Sequence, residues 1–127
     1  MIKVFIDGQA GTTGLRIKDR LQKRDDIELL VIDDDKRKDN HEIKKFINES
    51  DVTFLCLPDS AAVEAAALLD INNKRTKIID ASTAHRTNPL WAYGFPELSD
   101  TFRKKIETNQ LIANPGCYAS GFNAIVY

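Results

Sequence analysis

The segment with the strongest capacity for covalent chemistry in this 127-residue chain is NPGCY, at residues 114–118. It follows a short apolar run, and its Pro-Gly turn predicts that Cys117 stands at or next to the N-terminus of a helix. The helix dipole and the free N–H groups there favour a thiolate. The same N–H groups can stabilise an oxyanion on a carbonyl under attack. Cys117 is therefore the candidate nucleophile for acyl transfer to sulfur, followed by hydride delivery from a cofactor.

The other cysteine, Cys56, lies within the apolar run VTFLCLP, for which the sequence predicts a strand. A thiol in the middle of a strand is normally a core residue, so Cys56 is interpreted as structural. Two cysteines are too few for a disulfide framework and are typical of a reducing compartment. We therefore expect a cytoplasmic protein.

A glycine-rich segment, GQAGTTG at residues 8–14, predicts a dinucleotide site, because it follows a predicted strand and opens a predicted helix. Glycines permit a tight turn, close approach of the backbone to a pyrophosphate, and close packing of helix on strand. The helix N-terminus then presents N–H groups and a partial positive charge to the phosphates. The spacing GxxGxxG is a variant of GxGxxG, and a turn without a ligand is the alternative. The predicted cofactor-binding residues of this segment are Gly8, Gly11, Thr12, Thr13 and Gly14.

The charged stretch DDDKRK, at residues 33–38, follows the second predicted strand, where a dinucleotide's ribose is bound. An acidic residue there accepts hydrogen bonds from the ribose hydroxyls of NAD, whereas a basic residue favours the 2′-phosphate of NADP. Lys36, Arg37 and Lys38 are candidates for the phosphate, but three aspartates precede them. Charge alone leaves the cofactor open, and a solvated loop is the alternative for any one of these residues.

A long loop after the fourth predicted strand carries polar groups able to hold an anionic substrate or a phosphate. They are Ser82, Thr83, His85 and Arg86. The loop starts at the carboxyl end of its strand, the edge at which open α/β sheets bind ligands. His85 is a candidate base, and a hydrogen bond that holds the loop is the alternative role.

Strand and helix patterns alternate along the chain. Predicted strands cover residues 2–7, 27–32, 51–57, 77–80 and 111–113. Predicted helices follow the glycine segment to about residue 25 and cover 42–48, 60–69, 100–108 and the residues from 117, with an irregular stretch at 81–98. Such alternation with short connections predicts right-handed crossovers and an α/β fold with a doubly wound parallel sheet.

Composition excludes several classes of protein. Eighteen basic and nineteen acidic residues leave a net charge of -1, too little for a nucleic-acid or anionic-membrane partner. No apolar run approaches the roughly 20 residues of a membrane span, and no signal peptide or metal site is predicted. The apolar ending GFNAIVY has no helix stop signal. It predicts that the chain is the front part of a longer protein.

Five segments occur in an order that resembles the N-acetyl-gamma-glutamyl-phosphate reductases, in their shorter form: FIDGQAGTTGL, LCLPD, IDASTAHR, YGFPEL and ANPGCY. The resemblance implies a Rossmann-type NADP-binding domain at residues 1–113 and the start of a catalytic domain at 114–127. If the cofactor is NADP, the predicted contacts from the charged stretch are Lys36 and Arg37. The full-length protein is expected to be a homo-oligomer.

The resemblance also implies a role for Cys117 in arginine biosynthesis. The cysteine would attack the acyl phosphate of N-acetyl-glutamyl 5-phosphate and expel phosphate, and NADPH would reduce the resulting thioester to the semialdehyde. The family's catalytic domain also supplies a histidine acid/base, but no histidine follows His85 here. We therefore assign no acid/base and expect little or no turnover from these residues alone.

Three alternatives stay open from the sequence. One is an enzyme like aspartate-semialdehyde dehydrogenase, which has the same general plan. Another is a free-standing nucleotide-binding or redox-sensing domain that uses Cys117 as its responsive thiol. The third, a structural module without a ligand, requires that both the glycine segment and the cysteine turn be accidental.

Overall fold

The computed structural model describes residues 1–8, 11–85, 88, 90–93, 104 and 106–113, with the backbone alone for Thr12, Thr13 and Tyr93. The strands are β1 (Ile2–Asp7), β2 (Ile27–Leu30), β3 (Val52–Leu55), β4 (Lys77–Asp80), β5 (Ala92–Tyr93) and β6 (Leu111–Ala113). The helices are α1 (Thr12–Leu21), α2 (Asn40–Glu49) and α3 (Asp59–Ala66), with a 3₁₀ turn at Asp34–Lys36. None of the helices in these ranges is long and apolar enough to cross a membrane.

The six strands form one sheet in the order β2-β1-β3-β4-β6-β5, and every pairing is parallel. The chain leaves β1 for β2 on one side and then returns past β1 to β3 on the other. Right-handed crossovers in opposite directions place α1 and α2 on opposite faces of the sheet. The predicted doubly wound parallel sheet is thus confirmed. The reversal creates a crevice between the carboxyl ends of β1 and β3, where sheets of this kind bind ligands.

The main core lies between the sheet and the face covered by α2 and α3. Ile43 and Ile47 of α2 are buried there, as their helical spacing predicts, and Phe46 stacks on Phe5 of β1 with ring centroids 5.3 Å apart. Leu55 and Ile78 are fully buried in the same cluster. Burying each such side chain contributes roughly 1.5–3 kcal/mol, which fixes α2 beside the crevice.

The structure corrects several predicted boundaries. The second and third strands end earlier than predicted, at Leu30 and Leu55, and a short strand, β5, lies within the stretch predicted to be irregular. β5 has only two residues and pairs with β6, so its local pattern is too short to indicate a strand. Residues 104 and 106–108 are helical, in agreement with the predicted helix. The remainder of that helix and the one from Cys117 lie outside the described residues.

A buried polar network joins the amino ends of β3 and β4 to the end of α2. The Thr76 hydroxyl donates to the Ser50 carbonyl at 2.6 Å and accepts from Asn73 Nδ2 at 2.9 Å. Arg75 donates to the same carbonyl at 2.9 Å, and the Ser50 hydroxyl lies 2.7 Å from that of Thr53. These bonds satisfy polar groups that burial removes from water, so they stabilise the edge of the sheet opposite the crevice.

Substituting Thr76 by valine tests the network. The change keeps the side-chain shape but removes both hydrogen bonds at a position that is fully buried. We expect the free energy of unfolding to fall by about 1–2 kcal/mol, measured by urea denaturation. Thr108→Val is the matched control, because the Thr108 hydroxyl donates to the Lys104 carbonyl within an exposed helical turn. Equal losses from the two substitutions would contradict the role of Thr76.

Candidate functional site

The carboxyl ends of the central strands are aligned across the sheet. In the strand register, Asp7 lies opposite Leu55, Leu55 opposite Asp80, and Asp80 opposite Ala113. The loops after β1, β3 and β4 therefore begin at one edge, as the sequence predicts. Ala113 belongs to the same row, so the segment with Cys117 also begins there, although Cys117 itself lies outside the described residues.

The glycine turn after β1 requires glycine at its first position. Gly8 has φ 86°, in the left-handed region that side chains disfavour. A Cβ on Gly8 would lie 2.3 Å from the Cys56 carbonyl oxygen, which is closer than atoms can approach. The Gly11 N–H closes the turn by donating to the Gly8 carbonyl at 3.0 Å. A Cβ on Gly11 would meet that carbonyl at 3.4 Å, an ordinary contact.

The amino end of α1 presents backbone N–H groups at the same edge, and these groups have no partner within the helix. The first intrahelical bond runs from the Leu15 N–H to the Gly11 carbonyl at 2.9 Å. The N–H groups of Thr12, Thr13 and Gly14 precede it and have no intrahelical partner. The first turn carries no acidic side chain, so nothing there opposes an anion. This arrangement suits a pyrophosphate, as the glycine spacing predicts.

Two adjoining cavities open beside the turn, with volumes of about 180 and 310 Å³. They share Asp7, Arg37, Lys38 and Leu57 as lining residues. The smaller cavity also meets Gly8 and Ile32, just past β2, where a dinucleotide's ribose is bound. The larger runs between α2 and α3 and is lined by Asn40, Ile43, Ala61, Glu64, Ala65 and Leu68. Of the three candidates for the 2′-phosphate, Arg37 and Lys38 line both cavities, whereas the lining of neither includes Lys36.

Asp7 is a site residue that the sequence reasoning missed. It is 5% exposed and lines both cavities. Burial raises the pKa of its carboxyl group to about 6, and the N–H of Gly8 opposes that rise by a hydrogen bond. An acidic residue at the end of the apolar strand IKVFID, directly before the first glycine, was the signal in the sequence.

The loop after β4 is held by a buried carboxylate. Asp80 is fully buried and accepts hydrogen bonds from the N–H and the hydroxyl of Ser82 at 2.8 and 2.9 Å. Its other contact is with His85 Nδ1 at 2.5 Å. The His85 ring stacks on Trp91 with centroids 3.9 Å apart. His85 thus makes the hydrogen bond that holds the loop, which was the alternative to its role as a catalytic base.

The predicted anion-binding groups of this loop are used within the protein. Ser82 and His85 bond to Asp80, and the Thr83 hydroxyl and N–H both donate to the Asp59 carboxylate at the start of α3. Arg86 lies outside the described residues. A substrate role for the four residues stays a prediction. Within the described residues, no three His, Cys, Asp or Glu side chains converge as a metal site.

Cys56 is poorly suited to nucleophilic chemistry. It lies just past β3, half-buried, rather than within the strand as predicted. Burial raises the pKa of its thiol to about 11, and the nearby carboxyl groups of Asp7 and Asp80 add to the rise. A neutral thiol beside two acidic groups is a weak nucleophile, so the structural interpretation of Cys56 is supported.

We expect Cys56 to resist alkylation in the folded protein. A pKa near 11, against 9.0 for an unperturbed thiol, leaves roughly a hundredfold less thiolate at mildly alkaline pH. The measurement is iodoacetamide labelling followed by mass spectrometry of the peptide that contains Cys56, in buffer and in urea. Labelling in urea should be faster by about that factor. Equal rates in the two solutions would contradict the low reactivity of Cys56.

Comparison with protein families places most of the chain in one family. Residues 3–108 match the sequence model described as semialdehyde dehydrogenase, NAD binding domain. That stretch contains β1 without its first residue, β2 to β5, the glycine turn and both cavities. A nicotinamide dinucleotide is therefore the cofactor class that the family match supports.

Curated relatives carry the name that the sequence segments suggested. N-acetyl-gamma-glutamyl-phosphate reductase 2 of Nostoc sp. is 56% identical over 124 residues, which are 98% of this chain and 38% of that protein. N-acetyl-gamma-glutamyl-phosphate reductase of Brucella ovis is 48% identical over 124 residues, 98% of this chain and 40% of that protein. The predicted resemblance is confirmed. The chain spans about two-fifths of the length of the curated relatives it matches.

Solved structures agree on the fold. Aspartate semialdehyde dehydrogenase II of Vibrio cholerae matches with a TM-score of 0.65 at 17% identity, over 96% of this chain and 44% of that one. Aspartate semialdehyde dehydrogenase of Francisella tularensis matches with a TM-score of 0.67 at 16% identity, over 91% of this chain and 36% of that one. At this level of identity the likeness shows the fold alone.

Proposed function

The chain belongs to the semialdehyde dehydrogenase family, in its NAD-binding domain, and we propose that it is the NADP-binding part of an N-acetyl-gamma-glutamyl-phosphate reductase. The main support for this proposal is the glycine turn after β1. It leads into the amino end of α1, whose first N–H groups have no partner within the helix and lie beside the crevice. Gly8 brings this turn so close to the Cys56 carbonyl that no Cβ fits. The turn, the N–H groups and the adjoining cavities support a dinucleotide site, and the named relatives support the reductase.

Two cations support NADP over NAD. Arg37 and Lys38 follow the 3₁₀ turn and line the cavities next to Ile32, where the ribose of a dinucleotide is expected. A guanidinium group binds phosphate through paired, charge-assisted hydrogen bonds. In the proposed site Arg37 and Lys38 hold the 2′-phosphate. Lys36, which the sequence also suggested, contributes only at longer range.

The choice of cofactor is tested by charge reversal. In Arg37→Glu we expect the dissociation constant for NADPH to rise about 10- to 100-fold, because a charged hydrogen bond is lost, with a much smaller change for NADH. The matched control is Lys36→Glu, which changes the charge equally but at a residue outside the cavity lining. Binding is measured by titration calorimetry. Equal losses from both substitutions would mean that general charge, rather than the Arg37 position, governs affinity.

The reaction would take place on Cys117, in the residues 114–127 that we propose begin the catalytic domain. Its thiolate attacks the carbonyl carbon of N-acetyl-glutamyl 5-phosphate, the bond from that carbon to the phosphate oxygen breaks, and inorganic phosphate leaves. When bound, NADPH supplies the hydride that reduces the thioester carbonyl carbon. The carbon–sulfur bond then breaks, which releases the semialdehyde and regenerates the thiolate.

Activity is tested in a chimaera in which these 127 residues replace the matching part of the Nostoc sp. relative. We expect NADPH-dependent reduction of N-acetyl-glutamyl 5-phosphate, and a loss of roughly a thousandfold or more in kcat with Cys117→Ser. NADPH binding should persist in that variant, since Cys117 is proposed to act only in chemistry. Faster reduction of aspartyl phosphate would favour the aspartate-semialdehyde dehydrogenase alternative instead.

A further inference from the structure

Asp7 is a buried acid at the place where we expect the dinucleotide to bind. Side chains alternate along a strand, so Asp7 projects to the same face as Phe5, whose ring stacks on α2. Asp7 directly precedes the glycine turn and lines both cavities, at 5% exposure. Its carboxyl group directly precedes the turn proposed for the pyrophosphate and lines the same cavities as the cations proposed for the 2′-phosphate.

The charged groups around Asp7 come from several elements. Arg37 and Lys38 face the cavities from the loop after β2, and Glu64 faces the larger cavity from α3. Cys56, just past β3, interacts with Asp7 electrostatically but its thiol is neutral. Among the salt bridges of the described residues, none includes Asp7. The carboxyl group is therefore a buried acid without a directly paired cation.

We propose that Asp7 sets the cofactor preference of this site through its protonation: the carboxylate disfavours a 2′-phosphorylated dinucleotide, and the carboxylic acid admits one. The inference rests on the proposed dinucleotide site and goes beyond it by assigning a selectivity role to a residue outside the glycine turn. Binding of NADP then transfers a proton from the solvent to the Asp7 carboxylate.

Electrostatics gives the direction of the effect. A carboxylate beside a phosphate is repelled, and in a poorly solvated cavity the repulsion is much stronger than in water. A carboxylic acid can instead donate a hydrogen bond to a phosphate or ribose oxygen. The raised pKa of Asp7, about 6 without ligand, means that a modest further rise on binding brings the proton uptake to neutral pH.

The test compares the dissociation constants for NADP⁺ and NAD⁺ at about pH 6 and about pH 8, in the unaltered chain, Asp7→Asn and Asp25→Asn. Asp25 is the matched control, because it is an exposed acid in the turn before β2, at the end of that strand away from the crevice. We expect Asp7→Asn to bind NADP⁺ about tenfold more tightly than the unaltered chain at the higher pH, and within about twofold at the lower. Asp25→Asn should behave like the unaltered chain.

The 2′-phosphate itself titrates near pH 6 and binds cations better when fully ionised, which works against the effect of Asp7. This effect of phosphate ionisation is the same for all variants, so it cancels when the variants are compared with one another. The proposal is supported if the preference for NADP⁺ over NAD⁺ falls more steeply with rising pH, or rises less steeply, in the unaltered chain than in Asp7→Asn. Identical pH dependence in the two proteins overturns it. If neither dinucleotide binds at any pH, the proposed function fails instead. Asp7→Ser replaces Asp7→Asn if the latter does not fold.

Discussion

Replacing Gly8 by alanine should destabilise the folded chain by about 2–4 kcal/mol and abolish detectable dinucleotide binding. An alanine at φ 86° is strained, and its Cβ would overlap the Cys56 carbonyl oxygen at 2.3 Å. The overlapping atom belongs to the backbone just past a central strand, so it cannot rotate away as a side chain would. Relief requires the turn to move, which also displaces the amino end of α1. Urea denaturation and NADPH titration measure the two effects.

Gly11→Ala separates a steric effect from a general loss of glycine. Gly11 has φ -78°, and its Cβ would make an ordinary contact of 3.4 Å with the Gly8 carbonyl. We expect a change in stability of less than about 1 kcal/mol, with weaker dinucleotide binding only if the added methyl group meets the ligand. If Gly8→Ala were as mild as Gly11→Ala, the strained conformation at Gly8 would be refuted.

Replacing Asp80 by alanine should cost about 3–5 kcal/mol of unfolding free energy and release the loop after β4. The carboxylate is fully buried and bonds to both the N–H and the hydroxyl of Ser82 and to the His85 ring. Removing it takes away the acceptor that these buried groups share. Trp91 is the sole tryptophan and stacks on His85, so its fluorescence reports on this loop directly.

His85→Ala and Asp35→Ala are the companions to that experiment. His85→Ala removes the stacked ring but leaves the Ser82 bonds to Asp80, so it should shift Trp91 emission with a smaller loss of stability. Asp35→Ala removes an exposed carboxylate and should change stability by less than about 0.5 kcal/mol. Unchanged Trp91 emission in Asp80→Ala would show that the carboxylate does not hold the loop.

Local patterns were sufficient for the parts of the site that depend on neighbours in sequence. The apolar run before Gly8 and the helical spacing after it predicted the strand, the turn and α1. The spacing of Ile43, Phe46 and Ile47 predicted the packed face of α2. The alternation of strands and helices then predicted a parallel sheet with the loops at one edge, because right-handed crossovers leave few other topologies.

The parts that the sequence did not predict depend on distant contacts. The need for glycine at position 8 comes from the carbonyl of Cys56, which lies just past β3 and is distant in sequence. The preference for Lys38 over Lys36 in the cavity lining comes from the 3₁₀ turn, whose direction no local pattern indicates. From the sequence, Asp7 is simply the polar residue at the end of a strand. In the fold, α2 and α3 cover its face of the sheet, and Asp7 becomes a buried acid.

The position of β6 between β4 and β5 has a consequence for synthesis of the chain on the ribosome. β5 is translated first, but its partner in the sheet is β6, so it must wait for residues 111–113 to emerge. Until then the edge of β4 carries open backbone donors and acceptors. Such an edge can pair with a strand of another nascent chain on the same messenger, so the chain is exposed to aggregation during this interval.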